Sequence, residues 1–185
     1  MALKAIIHRA HVSFSDLDQN VYRDHEVTLA RHPSETEERM VVRLLAWVLN
    51  VPANNDEGTL EFGKDMWEPE DPSLVQNDLT GLRMHEIEIG QPEEKRLVRA
   101  CGRSKKVTVY SFGSTAPAWW AALAGRFARV GNLTVWQLPA EPVKTLAALV
   151  DRAMDLQITV QDGILTVDGG GKSVEMTPVC LFGGE

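Results

Sequence analysis

Residues 83–106, RMHEIEIGQPEEKRLVRACGRSKK, change from strand-type to helix-type patterning in mid-stretch. Glu86 and Glu88 stand two residues apart in a run with strand character, so both carboxylates are expected on the same face of a sheet. Gly90 breaks the strand, and Pro92 suits the first position of a helix, where its missing N–H is not needed. The stretch therefore predicts an acidic strand that leads directly into a helix.

The predicted helix carries one basic stripe. Lys95, Arg99 and Arg103 fall at successive i, i+4 steps, while Leu97 and Ala100 can face inward. An acidic strand beside a basic helix suits a metal ion and a phosphate group. The residues alone leave open whether a reaction occurs there.

Strand-type and helix-type segments alternate along the chain, which favours an α/β or α+β fold with a mixed central sheet flanked by helices. Hairpins are expected at both ends, and 185 residues fit a single domain over residues 1–185. The predicted strands cover 5–14, 21–30, 59–62, 106–112, 133–138, 156–160, 164–167 and 173–181, and the predicted helices run from 34 to about 50, start near 92 and 117, and cover 142–153.

The acidic residues outside the strand have two interpretations. Ser34 and Glu37 match a capping box, which leaves Glu35 and Glu38 as first-turn acids that complement the helix dipole. Alternatively, Glu35 or Glu38 reaches the acidic sheet face and helps to hold a cation. The carboxylates of the acidic loop at 67–80 are either solvated at the surface or lie near the same candidate cation site.

Two further motifs favour structural interpretations. Trp119 and Trp120 share helical spacing with leucine, which more often indicates packing on a sheet than stacking on a base. Residues 169–173, GGGKS, are similar to the end of a phosphate-binding loop, but strand-like residues follow them where a helix is required. We therefore expect core packing from the tryptophans and a hairpin tip from the glycines.

Composition limits the class of protein. The formal net charge of −7 argues against an obligate nucleic-acid coat protein, although a local basic stripe can still bind a phosphodiester backbone. Cys101 and Cys180 lie in apolar contexts without a Cys-x-x-Cys partner, which predicts reduced, buried thiols in a cytoplasmic protein. No apolar run approaches the roughly 18 residues that span a bilayer, and residues 1–10 lack the apolar core of a signal peptide, so we expect no membrane insertion or secretion.

Two segments carry a resemblance to a known family. HPSETEERMVVRLLAWVLN and EIEIGQPEEKRLVRACGRSKKVTVYSFG resemble the YaeQ family of bacterial proteins, and the second match is specific. YaeQ proteins are similar in fold to the PD-(D/E)XK nuclease (restriction-endonuclease-like) superfamily. In that superfamily a mixed sheet presents an aspartate and a Glu-x-Lys strand to one or two divalent ions.

The resemblance implies a set of metal ligands. Glu88 would be the strand carboxylate, and Asp71 would be the acid from the preceding loop, although its order with Pro72 reverses the superfamily's Pro-Asp. Glu35 or Glu38 would correspond to the acid of the first helix. The implied cofactor is Mg²⁺ or Mn²⁺, which prefer carboxylate oxygens.

The resemblance also implies the remaining site residues. Gly90 stands where the superfamily has its lysine, and Gln91 beside it would orient water or phosphate. Lys95 on the next helix would reach back as a substitute cation. Arg99 and Arg103 would contact a nucleic-acid backbone together with Lys95.

Two functions from different classes follow, and both stay open at this point. The first is a divalent-metal-dependent nuclease or phosphodiesterase. The second is a non-catalytic descendant of the nuclease fold that binds nucleic acid or a protein partner. A third interpretation is that Glu88 and the basic helix form a structural ion-pair network.

Overall fold

The computed structural model of the chain describes residues 3–184, which form two compact units. The first unit comprises the chain up to Val41 together with Leu138–Pro178. The second unit comprises Val42–Gln137 together with the residues that follow Pro178. Two compact units are compatible with one folding domain, so the predicted single domain over residues 1–185 stays a prediction.

The described residues contain eleven strands and four helices, which confirms an α+β fold with mixed sheets. In chain order the elements are β1 (Ile6–Asp16), β2 (Val21–Arg31), α1 (Glu37–Asn50), β3 (Leu60–Phe62), β4 (Leu74–Asn77), β5 (Arg83–Ile89), α2 (Glu94–Arg103), β6 (Lys106–Phe112), α3 (Ala116–Phe127), β7 (Leu133–Leu138), α4 (Ala140–Ala147), β8 (Ala153–Gln161), β9 (Ile164–Gly169), β10 (Lys172–Met176) and β11 (Val179–Phe182).

The first unit contains a five-stranded sheet with the strand order β10-β9-β8-β1-β2. β1 and β2 pair antiparallel along their whole length, which confirms the predicted N-terminal hairpin. β8 joins β1 in parallel, and β9 and β10 extend the sheet antiparallel. Ala10, Val12 and Leu29 are fully buried, so alternate residues of the hairpin form one core face.

The second unit contains a six-stranded sheet with the strand order β11-β7-β6-β5-β4-β3. β5 and β6 are parallel neighbours, and α2 lies between them in the chain. β4 and β5 pair with each other as an antiparallel hairpin. The strands thus divide between two sheets instead of one central sheet, because β1 pairs with β2 and β8 and not with the strands of the middle of the chain.

The core of the second unit fixes the orientation of α2. Leu97 and Ala100 of α2 pack with Val107 and Val109 of β6 in one fully buried cluster. Trp120 of α3 lies in the same cluster with 5% of its surface exposed, as the packing interpretation predicts. The arginines that flank Leu97 and Ala100 are therefore held over the neighbouring strand, β5.

The C-terminal part of the chain contains one correction and one confirmed prediction. α4 ends at Ala147 and β8 begins at Ala153, so the predicted helix over 142–153 is too long. Parallel pairing of Ala153 with Arg9 of β1 explains the early end, because it draws these residues into the sheet. The glycines at 169–171 form the tip of the β9–β10 hairpin, as predicted.

Two expectations drawn from composition have different outcomes. Cys101 is half-buried but Cys180 is exposed, so the predicted burial is wrong for Cys180; both are free cysteines. Between residues 3 and 184, no helix combines the length and the apolar character that crossing a bilayer requires.

Candidate functional site

Two buried carboxylates lie on the same face of β5, beneath α2. Glu86 is fully buried and Glu88 is 2% exposed. In the parallel ladder Glu86 pairs with Val107 and Glu88 with Val109, the two residues of β6 that pack against α2. The acidic strand face that the sequence predicts therefore lies directly against the predicted basic helix.

Glu86 is saturated with hydrogen bonds. Arg103 binds both carboxylate oxygens, with Nη2 at 2.6 Å from Oε1 and Nε at 2.9 Å from Oε2. Ser104 Oγ and Arg83 Nη1 donate to Oε2 at 2.8 Å and 3.1 Å. Burial alone would raise the pKa of Glu86, but the hydrogen bonds and charge of Arg103, aided by Ser104 and Arg83, hold that pKa below its ordinary value.

The carboxylate of Glu88 accepts fewer hydrogen bonds than that of Glu86. Its Oε2 accepts one hydrogen bond, from Arg96 Nε at 2.8 Å, and its Oε1 is buried without a hydrogen-bond partner among residues 3–184. Burial raises the pKa of Glu88 to about 7, against the lowering effect of Arg96, and the charges of Glu86 and Asp65 add to the rise. Near neutral pH the protonated and ionised forms of this carboxyl are therefore both populated.

Arg96 connects Glu88 to the loop between β3 and β4. While Nε binds Glu88, Nη2 donates to the carbonyl oxygen of Asp71 at 2.5 Å, and Nη1 donates to the carbonyl oxygen of Pro69. Arg99, one turn further along α2, forms an ion pair with Glu70 of the same loop. The two arginines fasten the loop to the helix above Glu88.

The sequence pattern predicts Lys95 as the cation near Glu88, but the residue that contacts Glu88 is its neighbour Arg96. Lys95 is exposed, and it forms no ion pair or hydrogen bond with another residue between 3 and 184. The spacing of Arg96, Arg99 and Arg103 at i, i+3 and i+7 is also a helical stripe, so the same periodicity contained the signal. The predicted role of Lys95 as a substitute cation stays a prediction.

The loop acid Asp71 reaches the site through its main chain. Its carboxylate Oδ2 accepts a hydrogen bond from the backbone N–H of Lys64 at 2.9 Å, and only its carbonyl meets Arg96. Asp65 is the loop acid whose charge acts on Glu88, and its Oδ2 accepts a hydrogen bond from Ser73 Oγ at 2.7 Å. The sequence contained no signal that separates these two aspartates.

Gly90 and Gln91 follow the last residue of β5 beside the site. Gly90 has φ of +96°, and its N–H donates to Tyr110 O at 2.9 Å. A side chain at position 90 would have open space but a strained backbone, which explains why a lysine is poorly suited there. Gln91 is exposed, and its Nε2 donates to Thr115 Oγ1 at 2.8 Å, so its predicted contact with water or phosphate stays a prediction.

Glu35 and Glu38 belong to the first unit, whereas Glu88 belongs to the second. Glu35 is 3% exposed and accepts a hydrogen bond from Arg39 Nη1 at 2.8 Å. α1 begins at Glu37, so Glu35 precedes the helix and is not a first-turn acid. Their predicted role as metal ligands stays a prediction.

The start of α1 differs from the predicted capping box. Thr36 Oγ1, and not Ser34, accepts the hydrogen bond from the backbone N–H of Arg39, at 3.1 Å. Thr36 immediately precedes the first residue of α1, which is the position where a hydroxyl can reach the N–H groups of the first turn.

The residues around Glu88 do not fit the predicted Mg²⁺ or Mn²⁺ as they are arranged. In the part of the chain from residue 3 to 184, no group of three or more His, Cys, Asp or Glu side chains is placed to hold a metal ion. One oxygen of Glu88 is bound to a guanidinium, and the carboxylate of Asp71 is bound to the Lys64 amide. Since Mg²⁺ takes about six oxygen ligands, a metal ion would have to displace Arg96 and turn Asp71.

Comparisons with known proteins give consistent results. A family model described as YaeQ protein matches residues 1–178. The uncharacterized YaeQ proteins of Escherichia coli (strain K12) and Salmonella typhi are each 38% identical over 178 residues, which covers 95% of this chain and 95% of theirs.

Solved structures show the same likeness in three dimensions. The crystal structure of the YaeQ protein from Xanthomonas axonopodis pv. citri has a TM-score of 0.88 and 37% identity, covering 96% of this chain and 98% of that one. The YaeQ protein from Pseudomonas syringae also has a TM-score of 0.88, with 29% identity over 98% of this chain and 97% of that one.

Proposed function

The chain belongs to the YaeQ family, and from that premise we propose that it is a non-catalytic binding module built on a PD-(D/E)XK nuclease-like core. In this proposal the Arg96 guanidinium takes the place that a metal ion would have beside Glu88. The hydrogen bond from Arg96 Nε to Glu88 Oε2, at 2.8 Å, is the observation that carries the proposal.

The strand arrangement of the second unit supports the nuclease-like core. β4 and β5 form an antiparallel hairpin, and β5 continues through α2 into its parallel neighbour β6. Ser73, which follows Pro72, accepts a hydrogen bond from the backbone N–H of Ile89 at 3.3 Å. The beginning of β4 and the end of β5 therefore lie side by side, as the two acidic motif positions of the superfamily do.

The chemistry of a guanidinium supports the loss of catalysis. A divalent metal activates water by binding its oxygen and lowering its pKa. Arg96 supplies positive charge but only N–H donors, so it cannot coordinate a water oxygen or accept a proton from that water. Arg96 can thus neutralise Glu88 and hold the loop, but it cannot replace the metal in hydrolysis.

Charge favours a protein partner over nucleic acid. On α2, Arg103 is paired with Glu86, Arg99 with Glu70 and Arg96 with Glu88. Two residues of the predicted basic stripe, Arg99 and Arg103, are therefore paired with carboxylates of the same chain. With a formal net charge of −7 for the whole chain, a phosphodiester backbone would find little compensating charge.

A thermal unfolding experiment with Mn²⁺ tests this proposal. Because Arg96 holds the site, roughly millimolar Mn²⁺ should change the melting temperature of the wild-type protein by less than about 1 °C. Glu88→Gln is the matched variant, and it should respond to Mn²⁺ in the same way. A rise of several degrees in the wild type that Glu88→Gln abolishes would contradict the proposal.

A Mg²⁺- or Mn²⁺-dependent nuclease or phosphodiesterase is the second candidate function. The Oε1 of Glu88 favours it, since this oxygen has no hydrogen-bond partner among the described residues and an unsatisfied carboxylate oxygen is a ready metal ligand. It requires Arg96 to leave Glu88 when metal and substrate bind. Cleavage of labelled DNA or RNA oligonucleotides by the wild type with Mn²⁺, and its loss in Glu88→Gln, would establish this function in place of the first.

A further inference from the structure

We propose that the edge strand β2 is a docking surface for an extended basic segment of another protein, which adds to the first unit's sheet as a further strand. The inference goes beyond the proposed function, because it concerns the first unit and does not depend on Arg96. It rests on the length of β2, on its regularity and on the charge of its solvent face.

β2 is by far the longest edge strand among the described residues. It has 11 residues, whereas the other edge strands have 5 (β10), 3 (β3) and 4 (β11). β1 is its one strand neighbour in the described part of the chain. An edge strand presents backbone N–H and C=O groups along its open side, and proteins usually keep such strands short.

The geometry of β2 also suits the addition of a strand. Its pairing with β1 runs without a register shift from Val21 to Arg31, and the strand contains no proline or glycine. Val27 and Leu29 are buried and hold the strand in the sheet. β2 thus lacks the bulges, prolines and short length that commonly protect an edge from pairing.

The solvent face of the sheet is acidic at this edge. Asp24 and Glu26 are exposed on β2, and Glu26 keeps 81% of its side chain exposed although His11 Nδ1 lies 2.7 Å from its Oε1. Asp155 pairs with His11 on the other side of β1 and is also exposed. Arg9 is the basic residue of β1 on the same face.

This charge pattern argues against a second copy of the same chain as the occupant. In the full-length antiparallel pairing of two β2 strands, Glu26 would face Glu26 of the other copy. Like charges directly opposite each other destabilise a strand pair, and removing two carboxylates from water adds to the effect. The edge therefore favours a strand that brings positive charge.

The register of an added antiparallel strand defines the motif of the partner. A basic residue opposite Glu26 and a second one two positions later, opposite Asp24, would form cross-strand ion pairs. Two positions further, the partner would face Tyr22, which is 63% exposed and offers an aromatic surface to an apolar side chain. The inferred partner segment is thus extended and reads basic-x-basic-x-apolar.

A labelled synthetic peptide provides the test. A seven-residue peptide with lysines opposite Glu26 and Asp24 and a terminal valine opposite Tyr22 should bind the wild-type protein in fluorescence anisotropy and slow amide exchange in residues 22–28. The double variant Asp24→Lys with Glu26→Lys should weaken binding roughly tenfold. Glu141→Lys with Glu175→Lys is the control, since it makes the same change in net charge at exposed positions away from β2.

Each other outcome overturns the inference. Equal binding of a peptide with the same charge but methylated backbone amides would mean attraction by charge alone. If both double variants weakened peptide binding equally, the attraction would again be due to net charge alone. Absence of binding, or self-association of the wild type through β2 in light scattering, would also refute it. None of these outcomes bears on the Mn²⁺ experiment, so the two proposals fail separately.

Discussion

Glu86 and Glu88 are the same residue type, two positions apart on one strand and beneath one helix, yet their surroundings differ in kind. Glu86 accepts four hydrogen bonds from three residues, whereas Glu88 accepts one and keeps a buried oxygen without a partner among residues 3–184. The pKa of Glu86 is lowered and that of Glu88 is raised to about 7. The difference teaches that one arginine does not offset the burial of a carboxylate, but a saturated hydrogen-bond shell does.

The two carboxylates consequently serve different ends of α2. Glu86 fixes the last turn of the helix through Arg103 and Ser104. Glu88 binds Arg96 near the first turn of α2, and the same guanidinium donates a hydrogen bond to the carbonyl oxygen of Asp71 in the loop before β4. The Glu86 end is a structural anchor, and the Glu88 end is the place where a ligand or a change of protonation can alter the molecule.

The largest expected effect comes from removing the arginine of the saturated site. Arg103→Met leaves Glu86 buried with its bidentate partner lost, so we expect the free energy of unfolding to fall by about 3–5 kcal/mol. Arg96→Met should lower it by only about 1–2 kcal/mol, because Glu88 can take up a proton near neutral pH. Urea denaturation at pH 7 measures both values.

An exposed ion pair between α3 and the first residue of α2 provides the control for this comparison. Arg126 binds Glu94 at 2.7 Å with 70% of its side chain exposed, so Arg126→Met should change the free energy of unfolding by less than about 1 kcal/mol. If Arg96→Met were as damaging as Arg103→Met, the distinction between a saturated and a half-satisfied carboxylate would be wrong.

The next effect in size is a pH dependence that belongs to Glu88. Its folded pKa of about 7 lies above the ordinary value of 4.5, so the folded state binds the proton more tightly than the unfolded chain does. This contribution to stability is complete below about pH 4.5 and is lost as the pH rises through about 7, by up to about 3 kcal/mol. Glu88→Gln lacks this titration, so the wild type should lose stability relative to it over that range.

Other groups titrate in both proteins and cancel in the difference. The pKa of His85 is lowered to about 4 by burial, so its contribution is lost as the pH falls from about 6.5. Glu86 acts in the same direction as His85, since its pKa is lowered. Urea denaturation of both proteins between about pH 5 and 8 measures the difference, and a constant difference would show that Glu88 stays ionised throughout.

The sequence predicts the acidic strand and the basic helix of this comparison, but it does not predict which side chains of the helix contact which glutamate. Period-two patterning predicts that Glu86 and Glu88 share a face, and the helical period predicts a basic stripe above them. Both the series that begins at Lys95 and the series that begins at Arg96 satisfy that period. Only the packing of Leu97 against β6 selects Arg96, and such packing is a tertiary property.

The loop residues show a second limit. A turn-rich, acidic segment predicts that carboxylates are near the site, but not whether Asp71 presents its carboxylate or its carbonyl. The division into two sheets was missed for a similar reason. Strand patterning identifies β1 and β8 separately, whereas their parallel pairing joins residues far apart in the chain.

The smallest expected effect tests whether a cation on the strand itself can make Glu88 resemble Glu86. Gly90→Lys introduces the lysine that the proposed nuclease-like core would have at this position, but φ of +96° is strained for lysine. We expect a loss of about 1–2 kcal/mol in the free energy of unfolding and no response to Mn²⁺. Gly102→Lys is the matched control, because Gly102 is exposed within α2 and lysine there should stabilise the helix by about 0.5–1 kcal/mol. A Gly90→Lys variant that is more stable than the wild type and has a lower pKa at Glu88 would contradict this expectation. The positive φ at position 90 would then not be the reason why lysine is absent there.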